Sequence, residues 1–293
     1  MNNSQVIRMN IKGVFAIAKR EFLSNLKSIR MLILIVLFAL AVVGGAYGLA
    51  VLSVKLEMIP NSDMAEALSR GPDVVLFISA SFVAFVGSMA AISLSFDSIV
   101  KEKLQNSIDF LLCRPVSKRE IMFGKFLGLW AALSLPGIIM LLAAILSVAN
   151  VAGMPSKKMI FGFIVFTVIF FGIFISIQQI FSTVSKTLGT AILSGIGVWF
   201  LFTMFWALVS LSIAYLMGMP MGTIQTNPDY NLLRSRIDLL SPIGAYDMSL
   251  GMLAGGKGIL PEGIPYYAPF LSLFLWFLIP LLVSMEVFHR RTE

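Results

Sequence analysis

The 293-residue sequence is poor in charged residues and has almost no cysteine or histidine. Charged residues make up 13% of the chain, against roughly 25% in typical soluble proteins, which is too few to cover the surface of a soluble domain of this size. The single cysteine excludes a disulfide framework within the chain. The single histidine, His289, leaves too little for a histidine-rich metal site.

Long apolar runs take the place of the missing charge. Apolar residues make up 58% of the sequence, and its mean hydropathy is +0.92. A membrane span needs about 20 apolar residues, and six charge-free runs can each hold one. The sequence therefore predicts an all-α integral membrane protein, folded as one domain over 1–293. Its six spans are predicted at about 31–54, 74–96, 126–149, 159–181, 188–218 and 266–285.

The distribution of lysine and arginine predicts how the chain is oriented. The segments on the side of the two termini carry 15 of these residues, and the segments on the other side carry seven. Since cytoplasmic loops carry an excess of Lys and Arg, both termini are predicted to lie in the cytoplasm. The net charge of +7 thus fits a membrane surface better than a nucleic acid.

The segment before the first span is predicted to be an amphipathic helix, about 5–30, that lies in the membrane interface. Apolar residues recur along it at steps of three and four, and the basic residues lie off that stripe. An ordinary charged flank is the alternative. The stripe consists of Ile7, Ile11, Phe15, Ala18, Phe22, Leu26 and Ile29.

The segment between the second and third spans, 97–125, is predicted to form an ordered elbow. An apolar face marks a short helix, which Pro115 ends because proline forces the preceding residue out of the α region. Ser117 and Glu120 then match a capping box that starts the next helix. Such an elbow suits the docking of another protein, whereas a plain solvated loop would not need the apolar face. That face consists of Val100, Leu104, Ile108 and Leu111.

The stretch from Glu102 to Lys125 resembles a motif of type-2 ABC transporter permeases, the exporter family. There, a Glu-rich start, a Gly-Thr-Leu/Ile-Glu/Asp step, Leu-Leu, Pro-Val/Ile-Ser-Arg/Lys and Gly-Lys occur in this order. The sequence reads EKLQNSIDFLLCRPVSKREIMFGK, with Asn106 and Ser107 where the family often has Gly and Thr. Ala18 to Phe22 resembles the family's N-terminal elbow, and Leu240-Ser241-Pro242 resembles its motif before the sixth span.

The resemblance implies a function and a set of partners. In that family, the elbow contains the coupling helix, which docks on an ATP-binding subunit, and two permease halves assemble with two ATPase subunits. ATP and Mg²⁺ would bind to the partner and no cofactor to this chain, which would itself be no enzyme. The resemblance also implies that the outer loop, about 219–265, dips back into the membrane. The expected coupling residues are Val100, Glu102, Leu104, Ser107, Ile108, Asp109, Leu111 and Pro115.

Two further features invite a functional interpretation. Gly251 to Gly258 nearly spells a phosphate-binding loop but has Gly258 where that loop needs a hydroxyl, so a Gly-rich loop is the better interpretation. Gln178 and Gln179 lie within the fourth predicted span, where amides either hydrogen-bond neighbouring helices or line a substrate path.

Three other classes of function compete with an ABC permease. A secondary transporter usually keeps an ionisable residue within its spans, and the predicted spans contain none. An intramembrane hydrolase lacks its histidines or paired aspartates. A membrane scaffold stays open, as do the substrate and the identity of the second permease half. The localisation predicted is a prokaryotic cell membrane.

Overall fold

A computed structural model describes residues 11–56, 71–105, 117–220, 222, 224, 227–255 and 263–291. Within these residues, helix accounts for 88% and no residue lies in a strand, so the predicted all-α class is confirmed. The helices are α1 Ile11–Leu26, α2 Ile29–Lys55, α3 Pro72–Leu104, α4 Lys118–Ala152, α5 Lys157–Val184, α6 Leu188–Leu216, α7 Pro228–Asp238, α8 Pro242–Gly255 and α9 Ala268–Arg291.

Six of these helices are long and apolar enough to cross a membrane, as predicted. They are α2, α3, α4, α5, α6 and α9. Helix α5 lies at the centre, where it packs against α3, α4, α6 and α9. Its side chains Phe163, Phe170 and Phe174 are fully buried and fill the core. Helix α6 is the least buried span, and apolar side chains cover its exposed surface.

The third span begins at a capping box, as the sequence predicts. The backbone N–H of Glu120 donates to Ser117 Oγ at 3.3 Å, and the N–H of Ser117 donates to Glu120 Oε2 at 2.7 Å. These bonds satisfy two donors that an open helix end would leave unpaired. Helix α4 therefore begins at Lys118, eight residues before the predicted span 126–149.

Helix α1 packs on α4 through a face that overlaps the predicted stripe only in part, at Ala18 and Phe22. Val14 and Ile17 are buried, whereas Ile11 and Phe15 of the stripe are 72% and 70% exposed. The cause lies in α4, where Gly124 and Gly128 meet α1 and allow its backbone to come very close. Val14 and Ile17 face these glycines, so Ile11 and Phe15 lie outside the contact. Whether Ile11 and Phe15 lie in the membrane interface stays a prediction.

The segment after α6 contains two helices that fold back along the spans. The hydroxyls of Tyr246 in α8 and Thr167 in α5 are 2.8 Å apart, and Leu253 in α8 lies against Gly162. Thus α8 runs antiparallel to α5. Thr167 lies ten residues after Lys157, or roughly 15 Å along the helix. The pair α7 and α8 forms a hairpin with its turn at Leu239-Leu240-Ser241, and Ser272 Oγ of α9 donates to the carbonyl oxygen of Leu239 at its tip.

Candidate coupling site

The two segments that carry the family resemblance meet at the start of α4. A Cβ atom on Gly128 would lie 2.6 Å from the carbonyl oxygen of Ala18 and 2.6 Å from Glu21 Cβ. A Cβ atom on Gly124 would lie 3.0 Å from the carbonyl oxygen of Val14. Helices approach this closely where small residues form the contact. The two glycines therefore bring α1 against the end of the elbow motif.

A buried lysine lies at the centre of this contact. The side chain of Lys125 is 2% exposed, and its ammonium group donates to Glu21 Oε1 at 2.8 Å and to Glu102 Oε1 at 2.7 Å. Its third contact is the carbonyl oxygen of Ser98 at 3.0 Å. An ammonium group has three donors, and all three have partners here. Lys125 thus joins α1, the end of α3 and the start of α4.

The start of the elbow is also held by the end of the fourth span. The backbone N–H groups of Ile99 and Val100 both donate to Ser182 Oγ, each at 3.1 Å. Lys103 Nζ donates to the carbonyl oxygen of Thr183. The segment Val100–Leu104 is helical and follows a turn at 96–99. The elbow therefore starts from a point fixed by α1, α4 and α5 together.

The predicted coupling residues fall into two groups. Val100 is fully buried within this chain, Glu102 pairs with Lys125, and Leu104 is 54% exposed at the end of the short helix. The others lie outside the described residues, and their role stays a prediction. They are Ser107, Ile108, Asp109, Leu111 and Pro115.

Further ion pairs join the same ends of other spans. The guanidinium group of Arg30, at the start of α2, donates to both carboxylate oxygens of Asp97 at 3.1 Å, and it lies 5.0 Å from the centre of the Phe96 ring. Arg119 of α4 pairs with Glu286 of α9 at 2.7 Å. These pairs are more exposed than the Lys125 cluster, so each contributes less to the free energy of unfolding.

Gln178 and Gln179 are fully buried within α5. Gln178 Nε2 donates to the carbonyl oxygen of Ala191 at 2.8 Å and so joins α5 to α6. Among the described residues, the amide group of Gln179 has no hydrogen-bond partner. Neither side chain lines an open path within one copy of the chain, and a role in a substrate path stays a prediction.

Neither a metal site nor a nucleotide site is indicated by the described residues. They contain no cluster of three His, Cys, Asp or Glu side chains that could hold a metal ion. Gly251 to Gly255, the first part of the near-match to a phosphate loop, lies inside α8, with Gly251 buried. A helix end of this kind lacks the open, Gly-rich turn whose N–H groups hold phosphates. The chemistry of the described site is therefore that of ion pairs between helices.

Most of these contacts could not be predicted from the sequence. Glu21 and Lys125 belong to recognised motifs, but 104 residues separate them, and no spacing rule relates such positions. Ser182 is one of many hydroxyl residues in the spans. Arg30 and Asp97 are flanking charges of a usual kind. The helix-packing pair Gly124 and Gly128 is the one local pattern that points to this contact.

Comparisons with known proteins assign nearly the whole chain to one family. Residues 15–292 match the family described as ABC-2 family transporter protein. The chain is 26% identical over 290 residues to the "Probable ABC transporter permease protein NosY" of Stutzerimonas stutzeri, covering 95% of this chain and 98% of that one. It is 25% identical over 287 residues to the protein of the same name from Pseudomonas aeruginosa, with the same coverage. The chain therefore belongs to the ABC-2 family of transporter proteins and is a membrane-spanning permease.

Proposed function

We propose that this chain is the membrane half of an ATP-driven exporter and that its elbow transmits force from a separate ATPase subunit. The observation that carries this proposal is Lys125, which ties the start of the elbow to α1 and to the third span through two buried ion pairs. A lever must be stiff where it joins the part that it moves. Ser182 of α5 accepts two hydrogen bonds from the elbow backbone, so the central span also holds the start of the elbow.

The proposed assembly contains two permease halves and two ATPase subunits. A closed pair of ATPase subunits has two-fold symmetry, so the membrane part needs a matching two-fold arrangement. ATP and Mg²⁺ bind to the ATPase subunits, and this chain hydrolyses nothing itself. The assembly lies in a prokaryotic cell membrane with the elbow and both termini in the cytoplasm. The second half is either the same chain or a related one.

Replacing Ile108 by lysine tests the coupling role of the elbow. We expect the variant to insert and fold normally while ATPase binding and transport both fall, because an unpaired charge would enter the partner's apolar cleft. Losing one buried apolar side chain costs about 1–3 kcal/mol of binding free energy. The measurement is co-purification with the ATP-binding-cassette protein encoded nearest to this gene, followed by ATP hydrolysis in vesicles.

Ile108→Leu is the matched control, since it keeps the apolar volume and should bind the ATPase like the wild type. If Ile108→Lys binds the ATPase and supports transport at the wild-type rate, the elbow is not the coupling element. If the wild-type chain binds no ATPase at all, a membrane scaffold or a secondary transporter is the better proposal.

The orientation is tested with the single cysteine, Cys113, which lies outside the described residues in the elbow. With the elbow in the cytoplasm, a membrane-impermeant maleimide should label Cys113 in inside-out vesicles and spare it in intact cells. Because a docked ATPase could shield this thiol, the control is Ser62→Cys in a Cys113→Ser background, which should be labelled in intact cells. Labelling of Cys113 in intact cells would reverse the orientation.

A further inference from the structure

A polar pocket lies between α1 and the end of α3, beside the Lys125 cluster. It is lined from within the segments 20–25 and 94–105 and by Lys125 and Leu129 of α4. Its volume is about 280 Å³, just below the range of roughly 300–1,000 Å³ that is usual for small-molecule sites. All of its lining side chains except Leu94 and Leu129 are charged or carry a hydroxyl or amide group. A ligand of this pocket is therefore small and polar.

The acidic side chains of the polar pocket are already paired with cations. Glu21 and Glu102 share the ammonium group of Lys125, and Asp97 accepts two hydrogen bonds from Arg30. A metal ion or an amine would have to compete with these pairs for the same carboxylates. The pocket is thus a poor site for a cation.

Two basic side chains of the polar pocket are not paired in this way. Arg20 of α1 and Lys101 of α3 both line it, and within the described residues neither side chain makes an ion pair or a hydrogen bond. When Arg30 is counted with its partner Asp97, four cations face three carboxylates here. The surplus of positive charge lies with Arg20 and Lys101, so the charge of the pocket favours an anion.

A buried hydroxyl group supplies a third donor. Ser98 lines the pocket, and its Oγ atom is buried without a hydrogen-bond partner among the described residues. Buried polar groups in native proteins nearly always have a partner, so an unpartnered one points to a group that binds there. Ser98 lies in the turn at 96–99, and rotation about one side-chain bond brings its hydroxyl to a ligand in the pocket.

We propose that the polar pocket binds the phosphate group of a small anionic ligand, held between Arg20 and Lys101 with the Ser98 hydroxyl as a third donor. Guanidinium and ammonium groups are the cations with which proteins bind phosphate. A phosphate group offers three acceptor oxygens, one for each of these donors, whereas a carboxylate offers two. Binding here does not depend on the coupling role proposed for the elbow, since it needs no ATPase.

Isothermal titration calorimetry on the purified full-length chain, in a maltoside detergent without phosphate, tests this site. The probes are inorganic phosphate, glycerol 3-phosphate and dihexanoyl phosphatidylglycerol, all at one ionic strength set with sodium chloride, because salt screens unspecific attraction to basic surfaces. We expect saturable binding of at least one probe, with one molecule per chain. Tighter binding of the phosphatidylglycerol than of glycerol 3-phosphate assigns the pocket to a lipid headgroup, and the reverse order assigns it to a soluble phosphate.

The matched variants are Arg20→Gln, Lys101→Gln and Lys19→Gln. Each removes one positive charge from an exposed side chain, but Lys19, the neighbour of Arg20 in the sequence, does not line the pocket. We expect Arg20→Gln and Lys101→Gln each to weaken binding roughly tenfold, as the loss of a hydrogen bond from a charged donor does. Ser98→Ala should weaken it severalfold, and Lys19→Gln should leave it unchanged. All four variants should keep the thermal midpoint of the wild type, which checks that they fold.

Two results would overturn the proposal. If none of the three probes shows saturable binding to the wild-type chain, the pocket holds no phosphate group. If Lys19→Gln weakens binding as much as Arg20→Gln and Lys101→Gln do, the probes are attracted by the positive surface of α1 and α3 as a whole and not by the pocket.

Discussion

Replacing Lys125 by methionine should detach α1 from the bundle and abolish the coupling of ATP hydrolysis to transport. The substitution removes the ammonium group and leaves Glu21 and Glu102, whose side chains are 19% and 17% exposed, close together without their shared partner. Breaking a buried ion pair costs about 3–5 kcal/mol, and the remaining exposure of the carboxylates places the expected loss in the free energy of unfolding near the lower end. The measurements are thermal unfolding and ATP hydrolysis with and without transport.

Arg119→Met is the matched control for Lys125→Met. Arg119 also pairs with a glutamate across two spans, but its side chain is 53% exposed, and such a pair is worth less than about 1 kcal/mol. A triple variant, Lys125→Met with Glu21→Gln and Glu102→Gln, should recover part of the lost stability, because the two negative charges that shared the ammonium group are then absent. If Lys125→Met and Arg119→Met behave alike, the buried cluster has no special role.

Replacing Gly128 by leucine should have the second large effect. Even a Cβ atom at this position would lie 2.6 Å from the backbone of α1, so a leucine side chain must push that helix away and break the contact of Lys125 with Glu21. Overpacking of this kind costs about 1–3 kcal/mol in the free energy of unfolding. The expected results are a lower thermal midpoint and faster proteolytic cleavage within α1.

Gly48→Leu is the control for Gly128→Leu. Gly44 and Gly48 have the same spacing as Gly124 and Gly128, but a Cβ atom at either would meet nothing within 4 Å. This substitution should leave the thermal midpoint unchanged or raise it slightly, because glycine inside a helix costs about 0.5–1 kcal/mol relative to alanine. Equal losses at Gly48 and Gly128 would contradict a specific contact between α1 and α4.

Sequence patterns were sufficient to predict the six spans, because placing a charged side chain in the hydrocarbon of a membrane costs much free energy. Uninterrupted apolar runs mark where the chain can cross, and the capping box at Ser117 marks where α4 begins. The same patterns do not say how α1 packs on α4. The stripe was predicted to lie in the membrane interface, which stays a prediction, whereas the contact with α4 depends on the close approach that two glycines allow and buries Val14 and Ile17.

The cluster of Lys125 with Glu21 and Glu102 was predictable only in part. The resemblance names Glu102 as one of its residues, and Lys125 and Glu21 lie in the quoted motifs, but their meeting depends on how three helices pack. Ser182 is recognisable solely from the fold, since a hydroxyl near the end of a span has many possible uses. The position of the hairpin of α7 and α8 could not be predicted for the same reason: it depends on contacts such as that of Tyr246 with Thr167, which no sequence periodicity reveals.

Three of the spans contain a short π-helical turn. These turns lie at Ala39–Val43 in α2, Val83–Gly87 in α3 and Leu201–Phe205 in α6, and the first two pack against each other. A π turn holds one residue more than an α turn, and hydrogen bonds can be exchanged so that the surplus residue passes along the helix. Such a shift rotates only the residues between the old and the new position of the turn, by about 100°, and leaves both ends of the helix in their orientation. The spans can therefore change which side chains face a neighbour next to these turns, while the end of α2 that is held by Arg30 stays in place.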